Sequence, residues 1–192
     1  MVAVLAGGEG RRMGGVKALR PFRGRPLVAH ALELARRWSD EVVVAVRSPD
    51  QVAGAVDAPL VLDHDGIEGP LAGLAAALAY AQASGAERLL TLPVDMPDAP
   101  LVLRERLEAA LTPAHEVALP EVAGDLQPIC GLWRTRVLQG VPAYVSGGRR
   151  SLRGFAGVCG VAIAAFGEAD AAAFANANTL EDLERLTQPR GP

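Results

Sequence analysis

The sequence predicts a single α/β domain of 192 residues, built on a mostly parallel sheet with helices on both faces and a small antiparallel element. Three observations predict it. Short apolar runs of strand length alternate with longer segments of helical spacing through the first half of the chain. The run Glu41–Val46 is apolar without interruption after its first residue, as a strand buried on both faces requires. The second half loses this rhythm and offers shorter strands of an antiparallel or edge type.

The elements follow in order. Residues 2–6 form a first strand that opens into a glycine-rich loop. Residues 26–38 have helical spacing, with Pro26 at the first helical position. Strands are expected at 41–46 and 60–62. An Ala/Leu-rich helix should run from Pro70 to Ala83 and stop near Gly85, ahead of a strand at 88–93 and a helix at 101–111. Residues 116–120 and 127–133 read as strands. Residues 150–155 and 180–186 read as short helices, and 188–192 as a frayed tail.

Composition narrows the function classes. Half of the residues are apolar and few are aromatic, which suits a globular core and not a disordered chain. A net charge of −3 argues against general nucleic-acid binding. The two cysteines, Cys130 and Cys159, lie in apolar segments and read as buried free thiols. The N-terminus lacks the pattern of a signal peptide, and no window is apolar for about 18 residues, so no membrane partner is expected and the cytoplasm is the expected location.

The segment from Gly7 to Lys17 holds five glycines, Arg11, Arg12 and Lys17. Glycine lets backbone N–H groups approach an anion closely, and the cations neutralise phosphate charge, so this loop suits a polyphosphate. It is not a Walker loop, because Val16 follows Gly15 where lysine belongs. Nor is it a dinucleotide fingerprint, because Met13 replaces the third glycine. In open α/β sheets ligands bind at the carboxyl ends of strands, which singles out 7–17, 45–48, 63–69 and Asp95.

Asp95, stiffened by Pro97, suits a divalent cation bridging phosphates, or alternatively a turn hydrogen bond. Asp98 reads as a cap for the next helix. Asp63, Asp65 and Glu68 precede a helix start, either as first-turn acidity or as acceptors for a base or ribose. His64 reads as a loop residue, and neither His30 nor His115 has support as a catalyst. Asn178 or Thr179 can cap the last helix. An extended segment would instead aim Asn176 and Asn178 one way, toward a phosphate or metal. Arg149 and Arg150 either receive an anionic second substrate or begin a solvated helix.

Leu5-Ala6-Gly7-Gly8 with Arg12-Met13-Gly14 and Lys17 resembles the opening of the nucleotidyltransferase superfamily. Gly69-Pro70-Leu71-Ala72-Gly73, Pro93-Val94-Asp95-Met96-Pro97, the stretch 149–155 and Phe174-Ala175-Asn176-Ala177-Asn178-Thr179 resemble one branch, the molybdenum cofactor guanylyltransferases. The match runs nearly end to end in motif order. The resemblance implies a three-layer α/β/α, Rossmann-like nucleotidyltransferase fold. It also implies transfer of GMP from Mg²⁺-GTP (Mn²⁺ being the alternative ion) to the terminal phosphate of molybdopterin, with release of pyrophosphate. By the same match, the backbone at Leu5, Ala6, Gly7 and Gly8 would hold the nucleotide, Lys17 its phosphates, and Asp63 the nucleotide. Asp95 would ligate the metal, and Asn176 and Asn178 would lie near the phosphates or pterin.

Lys17 and Arg12 are then the groups expected to offset developing charge. The N-terminal half would bind nucleotide and the C-terminal half acceptor. Proteins that deliver the cofactor, or molybdoenzymes that receive it, are implied as partners. Two departures stand out: Val16 where the family commonly has Asp, and Ala45 where it often has an amide. The rivals are a cytidylyltransferase on molybdopterin or a small phosphorylated acceptor, and a nucleotide-binding module without catalysis.

Overall fold

The computed structural model describes residues 1–8 and 15–187, so Arg12 and the tail at 188–192 lie outside the described residues. The strands are β1 (Val2–Leu5), β2 (Pro21–Phe22), β3 (Arg25–Pro26), β4 (Val42–Val46), β5 (Leu60–Leu62), β6 (Arg88–Pro93), β7 (Val117–Val122), β8 (Asp125–Leu126), β9 (Leu132–Arg134) and β10 (Val161–Phe166). The helices are α1 (Leu27–Trp38), α2 (Pro70–Ala83), α3 (Leu103–Ala110), α4 (Val141–Ser146), α5 (Leu152–Cys159) and α6 (Leu180–Thr187). One sheet runs β10-β7-β9-β6-β1-β4-β5, with β8 added to β7. The β1–β4, β1–β6, β4–β5 and β7–β10 pairs are parallel; β9 runs antiparallel to both β6 and β7.

Strand alternation divides the core into two layers. Val2 and Val4 of β1 pack with α1, α3 and α6, whereas Ala3 packs with α2, α4 and α5. Helices on both faces make the fold a three-layer α/β/α sandwich, as the alternating pattern predicts. No helix among the described residues is long and apolar enough to cross a membrane.

Several expectations are corrected. Pro26 does not open α1 but ends the hairpin β2–β3 just before it. Arg23 (φ 46°) and Gly24 (φ 79°) form the two-residue turn of that hairpin. A positive φ is costly for arginine, and its side chain is held by Asp98 through two bonds of 2.8 and 3.0 Å and lies over the Phe22 ring. Asp98 therefore pairs across the chain and does not cap α3, which begins five residues later at Leu103. The expected strand at 127–133 shrinks to β9, because residues 127–130 close a turn in which the Cys130 N–H donates to the Gln127 carbonyl. Within the main sheet every antiparallel pairing involves β8 or β9, since β7 has a parallel partner in β10, and the β2–β3 hairpin forms a separate antiparallel pair. Cys130 is buried and its thiol contacts the Met96 sulfur at 3.3 Å. Cys159 is only partly buried, and burial pushes its thiol up to about 11.

One buried polar knot ties β9 to β6. The Thr91 hydroxyl accepts from the Gly131 N–H (3.0 Å) and the Trp133 indole N–H (3.2 Å), and donates to the Gly131 carbonyl. Gly131 is required there, since a Cβ would stand 2.6 Å from Trp133 Nε1. Thr91→Val keeps the shape but strands two buried donors. It should cost about 1–3 kcal/mol of unfolding free energy in a urea titration, with activity per folded molecule unchanged.

Candidate active site

Because β1, β4, β5 and β6 are parallel, their carboxyl ends converge on one edge of the sheet. Gly7 and Gly8 follow β1, Arg47 follows β4, Asp63 follows β5 and Asp95 follows β6. These residues, with Lys17, line a single cleft. Leu5, Ala45 and Pro93 also line it. Ala45 is fully buried and presents only a methyl group, so no side-chain hydrogen bond to a ligand is available there.

Asp63 stands between two glycines. A Cβ on Gly7 would lie 2.8 Å from Asp63 Oδ2, and one on Gly73 would lie 3.3 Å from Oδ1. The glycines at the start of the loop and at the end of Gly-Pro-Leu-Ala-Gly thus make room for the same carboxylate. Its Oδ1 is buried and finds no hydrogen-bond partner among the described residues. Burial raises the Asp63 pKa, and the nearby Arg47 charge opposes the shift. A raised carboxylate pKa means that the ionised form costs stability at neutral pH, and that this cost fades as pH falls through the folded-state value. Asp63→Asn should therefore raise the thermal midpoint at pH 7, lose that advantage as the pH approaches 4, and weaken nucleotide binding. Melting curves across pH, paired with titrations, check both signs.

Lys17 begins a 3₁₀ turn (Lys17–Leu19) and reaches across the cleft mouth. Its ammonium donates to an Asp95 carboxylate oxygen and to Asn178 Oδ1, the latter at 2.9 Å. The Lys17 and Asp95 side chains are only 13% and 14% exposed, so this pair is well shielded. The Ala177 N–H donates to the Asp95 carbonyl (2.9 Å), which pins 176–178 beside Asp95. Thr179 and Asp182 cap α6 reciprocally: the Asp182 N–H donates to Thr179 Oγ1, while the Asp182 carboxylate accepts from the Asn178 and Thr179 N–H groups. With capping done by Thr179, the Asn178 amide remains available to Lys17. Asn176 Oδ1 is buried without a partner among the described residues.

Residues 2–159 match the MobA-like NTP transferase domain. The chain belongs to this family. It is 39% identical over 183 residues to a molybdenum cofactor guanylyltransferase of Cereibacter sphaeroides, covering 95% of this chain and 92% of that one. Among solved structures it is similar to molybdopterin-guanine dinucleotide biosynthesis protein A from Archaeoglobus fulgidus (TM-score 0.78, 22% identity, 97% and 96% of the two chains). It also shares its fold with a Mycobacterium tuberculosis protein solved in complex with manganese (TM-score 0.60, 20% identity, 97% and 96% of the two chains).

A divalent cation fits the donor chemistry of this MobA-like domain. Among the described residues no three His, Cys, Asp or Glu side chains gather as a protein cage. Asp95 offers a hard, anionic oxygen donor at the cleft, which suits an ion that completes its shell with substrate oxygens and water.

Other sequence candidates fall elsewhere. Arg149 packs over the Tyr144 ring at 4.5 Å, and Arg150 donates to the Val145 carbonyl, so both are engaged locally beside α4. His64 bonds the Asp65 carbonyl, His30 the Phe22 carbonyl, and His115 the Thr112 hydroxyl. Arg47 falls within the 45–48 segment that the strand-end rule singles out, whereas Gln51, which bonds the Gly7 carbonyl, escapes that reading. The signal for Gln51 was present, since Ser48-Pro49-Asp50-Gln51 has capping-box spacing.

Proposed function

We propose that the chain transfers GMP from GTP, with a divalent cation, to the terminal phosphate of molybdopterin and releases pyrophosphate. The observation that carries it is the Lys17–Asp95–Asn178 cluster facing the Gly7–Gly8 loop across one cleft. An acceptor phosphate oxygen forms a bond to the α-phosphorus as the bond from that phosphorus to the bridging oxygen of the leaving pyrophosphate breaks. The nucleophile is already ionised, so the protein need only position the partners and neutralise charge. The name of the sequence relative supplies the guanylyl group, and that of the Archaeoglobus fulgidus structure the pterin.

Lys17 would bind the nucleotide phosphates and, with Arg12, offset the charge that develops on them. The backbone from Leu5 to Gly8 would cradle the nucleotide, and Asp63 would accept N–H or O–H donors from base or ribose. Asp95 would hold the cation, Mg²⁺ or Mn²⁺, with Asn176 and Asn178 nearby. When bound, the cation would supply Lewis-acid neutralisation of substrate oxygens. A fold neighbour solved in complex with manganese supports the use of a divalent ion. The 192 residues would act as one domain, its N-terminal half taking nucleotide and its C-terminal half, including Arg149 and Arg150, taking the acceptor. Proteins that deliver molybdopterin or accept the finished cofactor would be its partners.

Parallel calorimetric titrations with Mg²⁺-GTP and Mg²⁺-CTP check the base. Tighter binding of GTP is expected. Preference for CTP would replace the guanylyl reading with a cytidylyl one.

A further inference from the structure

Gln51 touches the nucleotide loop without lining the cleft. It closes the 3₁₀ turn Pro49–Gln51 that follows β4. Its Oε1 accepts from the backbone N–H groups of Arg47 (2.7 Å) and Ser48 (3.3 Å). With the oxygen committed to two donors, the amide can turn only one way, and its Nε2 faces outward. There it donates to the Gly7 carbonyl at 3.3 Å. The Asp63 carboxylate crowds Gly7 at its Cβ position, where an added methyl would be 2.8 Å from Oδ2. Gly7 is thus gripped between the loop after β4 and the loop after β5.

That grip has a directional consequence. No peptide bond in the described chain is cis, and in a trans peptide the carbonyl of one residue and the N–H of the next point in opposite directions. Tethering the Gly7 carbonyl to Gln51 turns the Gly8 N–H away from Gln51, and Gly8 itself lines the cleft with Lys17 and Asp63. Two successive glycines offer little intrinsic resistance to rotation of the peptide between them. Something outside the loop must hold it.

We propose that Gln51 is a positioning residue for nucleotide transfer: it fixes the Gly7–Gly8 peptide so that the Gly8 N–H faces the polyphosphate. This rests on the reading of the cleft as a triphosphate site. Gln51 acts through Gly7 and touches no substrate atom, so its effect falls on affinity and KM more than on kcat.

Two variants isolate the bond. Gln51→Glu keeps both acceptor contacts to Arg47 and Ser48 but cannot donate to Gly7. Gln51→Met removes all three contacts and adds no charge. Binding of Mg²⁺-GTP and of inorganic tripolyphosphate with Mg²⁺ is measured by calorimetry, alongside melting curves and steady-state rates. Both variants should weaken both ligands by about tenfold, with the loss of rate appearing in KM and with Gln51→Glu melting as the unaltered protein does. Weakening by Gln51→Glu alone would mean charge repulsion, and weakening by Gln51→Met alone would mean a role confined to the capping turn. Either result, or no change in either variant, overturns the proposal. If the unaltered protein binds tripolyphosphate but not GTP, the guanylyl reading fails while the Gln51 comparison is still read on tripolyphosphate. If it binds neither, both fall.

Discussion

Lys17→Ala is expected to lower turnover by ~10²-fold or more at saturating Mg²⁺-GTP, the scale of loss seen when one fixed electrostatic stabiliser is removed from a shielded site. The expectation follows from where the ammonium sits. It is largely buried, held by Asp95 and Asn178, and aimed across the mouth of the cleft that the Gly7–Gly8 loop borders. Water that fills the gap left by alanine is not oriented in advance and neutralises phosphate charge poorly. A second consequence has the opposite sign. The same ammonium pairs with the carboxylate proposed to hold the cation, so Mn²⁺ alone should bind Lys17→Ala more tightly than the unaltered protein. Electron paramagnetic resonance of free Mn²⁺ reads that change without any turnover. Near-normal turnover in Lys17→Ala would remove lysine from the reaction.

Asp95→Ala should be equally severe, with ~10²-fold or more lost in kcat, and added Mg²⁺ should not restore it. Asp95→Asn is the sharper comparison. An amide oxygen can still accept from Lys17, and the backbone bond from Ala177 to the residue-95 carbonyl is untouched, so the segment 176–178 stays in place. What the asparagine lacks is charge for a cation. If Asp95→Asn worked normally while Asp95→Ala did not, Asp95 would be a scaffold for Lys17 and not a metal ligand.

Much of this site was legible because the parallel half of the fold announces itself. The apolar runs that became β1, β4, β5 and β6 fix which residues stand at the carboxyl edge, and Asp63 and Asp95 were selected by that rule before any geometry. The glycines were legible as a phosphate loop, but the demand Asp63 places on Gly7 and Gly73 was not, because it arises only when β5 and α2 pack. In sequence, Asn178 fits either a cap or a ligand contact. The structure divides the labour, giving the cap to Thr179 and Asp182 and Lys17 to Asn178.

The C-terminal half read poorly for physical reasons. β10 is Val161-Ala162-Ile163-Ala164-Ala165-Phe166, with Ala162, Ala164 and Phe166 buried, and alanine carries little strand preference of its own. α4 follows a 3₁₀ turn (Thr135–Gly140) and holds Pro142 in its first turn, so no helical period is long enough to register. Arg149 and Arg150 were visible only as charge; their contacts to Tyr144 and Val145 depend on α4, which the sequence did not disclose.

Guanylyl transfer is tested most directly by pyrophosphate release with purified molybdopterin and each of GTP, CTP, ATP and UTP in excess Mg²⁺. Release that requires molybdopterin and proceeds with GTP well above the other three is the expected result. Release driven by CTP, or tight GTP binding with no pyrophosphate in the presence of molybdopterin, would contradict it.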